Sequence, residues 1–243
     1  MVYYTREMKK SLSILAVFFA LPACAPGLDQ HANMTDEEIF TRARTRTIDG
    51  NFRGAVADFE ALDNQHPYSR FTARAQLLGG YANYRAGRFS QASDLFENYI
   101  RFQPSSTNIQ YATYMAARSN FARMRRVERD QRETQIAANL MERIIREWPD
   151  SAYAADAPPM LERARSTLAA KYMRNGAELS RNRNFLAALN HYRAVITRFA
   201  DTPYAPEAYF RTAEILRIIG SNDEAERVTA LLREKFPESD FAR

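Results

Sequence analysis

Apolar residues recur along the chain in a fixed figure. Four prolines, Pro67, Pro104, Pro149 and Pro237, mark its ends. Ala200 takes the same place by the local match of Trp148-Pro149-Asp150-Ser151-Ala152-Tyr153 with Phe199-Ala200-Asp201-Thr202-Pro203-Tyr204. Twelve residues before the five markers stand Ala55, Ala92, Ala137, Ala188 and Ala225. Eight before stand Phe59, Phe96, Met141, Tyr192 and Thr229, and five before stand Leu62, Tyr99, Ile144, Val195 and Leu232. The offsets advance in steps of four and three, so each set occupies one face of a helix. The alanine lets a second helix approach, and the larger residues fill the groove beyond it. Seventeen before the markers stand Gly50, Gly87, Arg132, Arg183 and Gly220. These predict a turn entering each helix, where glycine adopts a positive φ most easily, and the marker proline ends the helix.

Further signals predict partner helices. Thr35-Asp36-Glu37-Glu38 is a capping box with Thr35 as N-cap. Pro206-Glu207 opens another helix, since proline is tolerated in a first turn. From Pro158-Pro159 to about Asn182 only Gly176 interrupts, which predicts one helix of roughly 36 Å. With these helices the figure resembles the tetratricopeptide repeat, whose two antiparallel helices recur every 34 residues or so. The Ala, Phe and Pro positions match, Gly80 matches the small first-helix position, the first-helix Trp is absent, and Asn83 replaces the usual Tyr. Marker spacings of 37, 45, 51 and 37 imply insertions over that period. The expected fold is all-α, an α-solenoid of about five tetratricopeptide-like helix pairs over 35–243.

The first residues read as an address. Arg6, Lys9 and Lys10 precede a short apolar run from Ser11 to Ala20, too short to span a bilayer. A basic region, an apolar stretch and small residues describe a secretory signal over 1–23. Leu21-Pro22-Ala23-Cys24 resembles the lipobox of bacterial lipoproteins, with Cys24 as the lipidated residue and Pro22 as the departure. The alternative is an ordinary signal peptide with Cys24 incidental. Ala25 follows Cys24, so the Asp that retains such lipoproteins at the inner membrane is missing, which implies an outer-membrane location facing the periplasm. Residues 24–34 are small and polar and predict a tether.

Composition narrows the chemistry. The 243 residues carry a formal charge of +5; without 1–23 the balance is 31 basic against 28 acidic, weak grounds for a nucleic-acid partner. One cysteine excludes an internal disulfide framework and paired-cysteine zinc sites. His31, His66 and His191 lie far apart, so neither a metal centre nor a cofactor is expected. His66 is expected to cap a helix end. No HExxH, GxSxG, P-loop or GxGxxG is present, and an enzyme is not expected. The mixed-charge run Arg123–Glu133 reads as a solvated helix end and loop, with lipid headgroups or an acidic partner as the alternative.

Several strings go beyond the generic repeat. They are Gly50-Asn51-Phe52, Phe59-Glu60-Ala61-Leu62-Asp63-Asn64-Gln65-His66-Pro67-Tyr68, Tyr99-Ile100-Arg101-Phe102-Gln103-Pro104 and Asn108-Ile109-Gln110-Tyr111-Ala112-Thr113-Tyr114-Met115. With Glu142–Tyr153 they resemble the BamD family, lipoproteins of the outer-membrane β-barrel assembly machinery. The resemblance covers about 36–237 and departs between Phe121 and Gln131. It implies an adaptor that holds the barrel subunit BamA, joins other subunits of that complex, and engages unfolded outer-membrane proteins. It implies a substrate-binding half over 35–150 and a BamA-docking half over 151–243. On the first helices, Arg44, Arg74, Leu77, Tyr81, Tyr84 and Arg85 fall on one side, and Tyr111, Tyr114 and Arg118 extend the stripe. This is the expected groove for an extended peptide with aromatic residues and a free carboxylate. The alternative makes Tyr81 and Tyr84 core residues with hydroxyls at the rim. His191, Arg193 and Arg198 are the expected BamA contacts, or else a solvated face. The rival function is a periplasmic repeat lipoprotein that scaffolds cell-envelope or cell-division machinery.

Overall fold

A computed structural model describes residues 31–243. Cys24, the signal over 1–23 and the tether up to residue 30 lie outside the described residues. Among the described residues, ten α-helices follow one another in five antiparallel pairs. They are α1 (Asp36–Ile48) with α2 (Phe52–Gln65), α3 (Thr72–Arg85) with α4 (Phe89–Phe102), α5 (Ile109–Ala122) with α6 (Arg132–Glu147), α7 (Ala152–Arg181) with α8 (Phe185–Arg198), and α9 (Ala205–Ile218) with α10 (Asn222–Lys235). Each helix packs on the one before and the one after. No strand occurs among the described residues, and the fold is the all-α solenoid the periodicity predicts.

The repeated figure maps onto the second helix of every pair. The five alanines are fully buried, as are the residues five before each marker. Phe59, Phe96, Met141 and Tyr192 are buried too, whereas Thr229 is only half-buried. All five helices end alike: the residue before the marker (His66, Gln103, Trp148, Phe199, Phe236) adopts φ between −130° and −138° and donates its N–H four residues back. His66 thus caps α2, and its ring Nε2 lies 3.1 Å from the Met34 carbonyl oxygen. Gly50, Gly87 and Gly220 take positive φ, and so does Arg183 at 59°. Arg132 departs from the expectation. It is the first residue of α6, because the 123–131 segment replaces the tight turn of the other pairs.

First helices meet the buried aromatics through glycine. A Cβ on Gly80 would stand 2.8 Å from Phe96 Cζ, and one on Gly176 would stand 2.6 Å from Tyr192 Cε1. Both rings are buried, so neither has room to retreat. The capping box of α1 is complete: Glu38 N–H donates to Thr35 Oγ1, and Thr35 N–H donates to Glu38 Oε2 at 2.8 Å. Pro206 lies in the first turn of α9.

The long helix starts earlier than its prolines suggest. α7 has 30 residues, about 45 Å at 1.5 Å each, and runs from N-cap Ser151 through Pro158 and Pro159. Both prolines are exposed and leave the carbonyls of Ala154 and Ala155 without their i+4 N–H donors, while the Ala154 and Ala157 side chains are buried. Packing of the alanine face outweighs the proline penalty.

Three hydrophobic clusters follow the chain, one under α1–α3, one under α4–α7 and one under α6–α10. α7 gives Ala154 and Ala157 to the middle cluster and Ala164, Leu168, Ala169 and Met173 to the last. The boundary near 150 therefore falls at a turn between repeats, and one helix continues through both cores.

Candidate functional site

The first helices of the first three pairs enclose a cavity of about 470 Å³. α1 supplies Phe40 and Arg44, α3 supplies Arg74, Leu77, Leu78 and Tyr81, and the start of α5 supplies Asn108 and Tyr111. The α3 set advances in steps of three, one and three, which is one helical face. Phe40 is fixed from behind by stacking on Phe71 at 4.6 Å. Tyr111 sets its ring edge-on to Phe96, and burial pushes its hydroxyl up to about 12, so it stays protonated at any physiological pH. Arg44 and Arg74 are exposed and make no ion pair or hydrogen bond among the described residues.

Arg85 serves a different purpose. Its guanidinium lies 4.4 Å over the Phe52 ring and donates to the Tyr81 hydroxyl at 2.6 Å. It sets the angle of Tyr81 and is not a free charge. Tyr81 and Tyr84 are both half-buried, between the two expected situations.

Tyr84, Tyr114 and Arg118 form a neighbouring cluster instead of lining the cavity. Arg118 lies 5.4 Å over Tyr84 and 5.6 Å over Tyr114. Tyr114 corrects the expectation most clearly. It is 7% exposed, it donates its hydroxyl to the Asp156 carboxylate on α7, and its ring packs 4.9 Å from Tyr153. Burial and then the Asp156 bond push that hydroxyl up to about 12. Tyr114 is core because α5 is covered by α6 and α7 as well as α4. Phe40, Leu78 and Asn108 were missed; one more step of four back from Arg44 and on from Arg74 reaches the first two.

On the carboxy-terminal half the three expected contacts separate. His191 and Arg198 are seven apart on α8, hence on one stripe, and both meet Tyr172. The His191 ring lies 5.6 Å from the Tyr172 ring, and Arg198 donates to the Tyr172 hydroxyl at 2.8 Å. Arg193 is two residues from His191, on the opposite side of the helix, and pairs with Glu224 on α10. Sequence reasoning also missed a second cavity, about 460 Å³, between α7 and α9, with Arg174, Arg181, Tyr192, Glu207, Arg211 and Glu214 among its lining. There Arg211 is held by Glu207 at 3.3 Å and Glu214 at 2.9 Å.

The 123–131 segment is anchored more firmly than a solvated loop. Glu128 pairs with Arg174 of α7 at 2.5 Å, its carbonyl accepts from Lys171, and buried Gln131 donates to the Arg126 and Arg129 carbonyls. No helix among the described residues is long and apolar enough to cross a membrane.

Residues 32–232 match the YfiO family, described as outer membrane lipoprotein. The chain belongs to that family. Relatives of this YfiO chain carry the name outer membrane protein assembly factor BamD. That of Caulobacter vibrioides is 34% identical over 201 residues, which cover 83% of this chain and 66% of the relative. That of Rickettsia prowazekii is 29% identical, covering 77% of this chain and 75% of the relative. That of Neisseria meningitidis serogroup A is 25% identical over 96% of this chain and 94% of the relative. The chain thus spans just under two thirds of the Caulobacter protein's own length and more of the others. Among solved structures, a thermophilic TPR protein of Thermus thermophilus is similar at TM-score 0.41 and 16% identity, covering 84% of this chain and 93% of that one. MamA is similar at 0.37 and 18%, covering 82% and 91%.

Proposed function

We propose that this YfiO-family chain is an outer-membrane protein assembly factor: a non-catalytic, lipid-anchored adaptor of the β-barrel assembly machinery. In this reading Cys24 carries the lipid, the helical body faces the periplasm, and the carboxy-terminal half docks BamA around the Tyr172, His191 and Arg198 stripe. The amino-terminal half receives unfolded barrel proteins by a terminal segment. Family membership supports the assembly role over the cell-envelope scaffold.

The groove reading rests on one observation. Arg44 and Arg74 are two uncommitted cations beside half-buried Leu77, Tyr81 and Tyr111 in one cavity. An arginine fork binds a carboxylate with two hydrogen bonds, and tyrosine offers rigid amphipathic contact to alternating apolar side chains. Since Arg85 is engaged with Tyr81, the charges to reverse are Arg44 and Arg74. The Arg44→Glu/Arg74→Glu variant should keep its helicity and lose most photo-crosslinking to a barrel-derived terminal peptide ending in Phe. Wild-type crosslinking in that folded variant would remove the carboxylate clamp. Co-purification with BamA should persist in it, since the proposed dock lies on α7 and α8.

A further inference from the structure

The 123–131 segment, with α6, α7 and α8, walls a third cavity of about 520 Å³. Its charge is not balanced. Arg129, Arg132 and Lys171 line it with Glu128 and Asp130, and Glu128 is already matched by Arg174. The exposed side chains of Arg129 and Arg132 make no ion pair or hydrogen bond among the described residues. Lys171 spends one donor on the uncharged Glu128 carbonyl at 3.1 Å and keeps its charge. Asp130 is the one carboxylate of the lining with no partner among the described residues, so the three cations leave two positive charges in excess.

The backbone between the two arginines is fixed from inside. Gln131 is 8% exposed, and its amide donates to the Arg126 and Arg129 carbonyls at 2.9 and 3.2 Å and accepts from Thr134 Oγ1 at 2.7 Å. That side chain is therefore spent, which leaves the first N–H groups of α6 without a side-chain cap. The positive end of the α6 dipole adds to the arginines. Across the cavity, His191 joins the lining, and its Nδ1 is buried with no hydrogen-bond partner among the described residues.

From this geometry we infer that the cavity is a phosphate site, which takes a phosphate monoester group between Arg129, Arg132 and Lys171 at the start of α6. The excess charge selects that ligand. A monoester carries about 1.5 to 2 negative charges at neutral pH and three acceptor oxygens. Arginine forks and an ammonium grip such oxygens. One carboxylate would answer only half of the excess, and an amine would be repelled. Tyr172 and His191 also belong to the stripe proposed to dock BamA, but the inference rests on the charge of the cavity and not on that reading.

The test titrates the full chain, without BamA, with inorganic phosphate at physiological ionic strength. The backbone amide signals of residues 129–134 and the His191 ring report binding. They should shift saturably, and acetate should bind about fivefold or more weakly. Arg129→Gln/Arg132→Gln should keep its helicity and bind phosphate about tenfold or more weakly. Arg125→Gln/Arg126→Gln removes two exposed arginines of the same segment that do not line the cavity, and should change the affinity by less than about twofold. Vesicles containing phosphatidic acid then give the source. Recruitment that Arg129→Gln/Arg132→Gln loses assigns the group to a lipid headgroup, and phosphate binding without such recruitment assigns it to a soluble ligand; either agrees with the site. No saturable shift, acetate binding as tight as phosphate, or equal losses in the two arginine pairs would overturn it.

Discussion

The two cavities on the first-helix side are of similar size and opposite charge economy. Near the amino terminus, Arg44 and Arg74 have no partner among the described residues and stand over an aromatic and aliphatic floor, and no described acidic residue lines that cavity. Near the carboxy terminus, Arg211 is bracketed by two glutamates and Arg174 is tied to the 123–131 segment. The first cavity keeps its charge available for a ligand; the second has most of its charge matched before any ligand arrives. The difference lies at the i, i+3 and i, i+4 neighbours of each arginine. Arg211 has glutamates at both spacings, whereas Arg44 and Arg74 have none.

The comparison breaks most readily at the walls. Asp58 of α2 is fully buried and takes Arg46 at 2.8 Å and Arg42 at 3.0 Å from α1, the helix that carries Arg44. Asp58→Ala removes the shared acceptor and leaves two cations at a buried contact, which should cost roughly 3–5 kcal/mol. Urea unfolding checks the size of the loss, and hydrogen exchange should show it concentrated in α1 with α9 protected as before. Uniform loss of protection would show that the two ends do not respond separately. Next in size, Gly176→Ala and Gly80→Ala should each cost about 1–3 kcal/mol by overpacking. Gly176→Ala should be the worse, since its Cβ would meet the ring at 2.6 Å instead of 2.8 Å. An unchanged thermal midpoint in either would contradict the packing described.

The repeat core was legible because alanine is required wherever two helices touch closely, and a required small residue every repeat leaves a period. Three things were not. Pro158 and Pro159 read as a boundary, since the burial of Ala154 and Ala157 that carries the helix past them is a tertiary effect. Arg183 takes a glycine-like φ at a turn the repeat register marks, yet nothing in the residue itself shows that backbone. The role of Arg85 depends on Phe52 from the preceding pair, a contact no spacing along α3 reveals. At the site, one face of each first helix was enough to collect Arg44, Arg74, Leu77, Tyr81 and Tyr111. It also collected Tyr114, because periodicity identifies a face and does not say how many helices cover it.

Smaller effects sharpen the contrast between the grooves. Reversing Arg181 and Arg211 to Glu should leave capture of a barrel-derived terminal peptide within twofold of wild type, whereas the Arg44 and Arg74 reversal should weaken it about tenfold or more, the scale of a lost charge-assisted hydrogen bond. Similar losses in both would mean one continuous binding surface. Smallest of all is a pH effect at Asp201, whose carboxylate accepts two bonds from Arg165, at 2.8 and 2.7 Å. Those bonds hold its pKa below the ordinary value. A depressed folded-state pKa gives stability that is present above the unfolded value of about 3.9 and is lost as pH falls through the folded one. Asp201→Asn should therefore lower the thermal midpoint slightly at pH 7, and the gap to wild type should close as the pH falls below about 4. A gap that persists at pH 2 would point to packing and not charge.

α7 gives the solenoid a beam in its middle. Successive pairs meet at turns of a few residues, 148–151 among them, where a small change of dihedral angle tilts one pair on the next. From Ser151 to Arg181 there is no such joint: tilting α8 on the middle core would drag Ala154 and Ala157 out of their seats along with Leu168 and Met173. One helix thus carries load from the middle core to the last with no break between them.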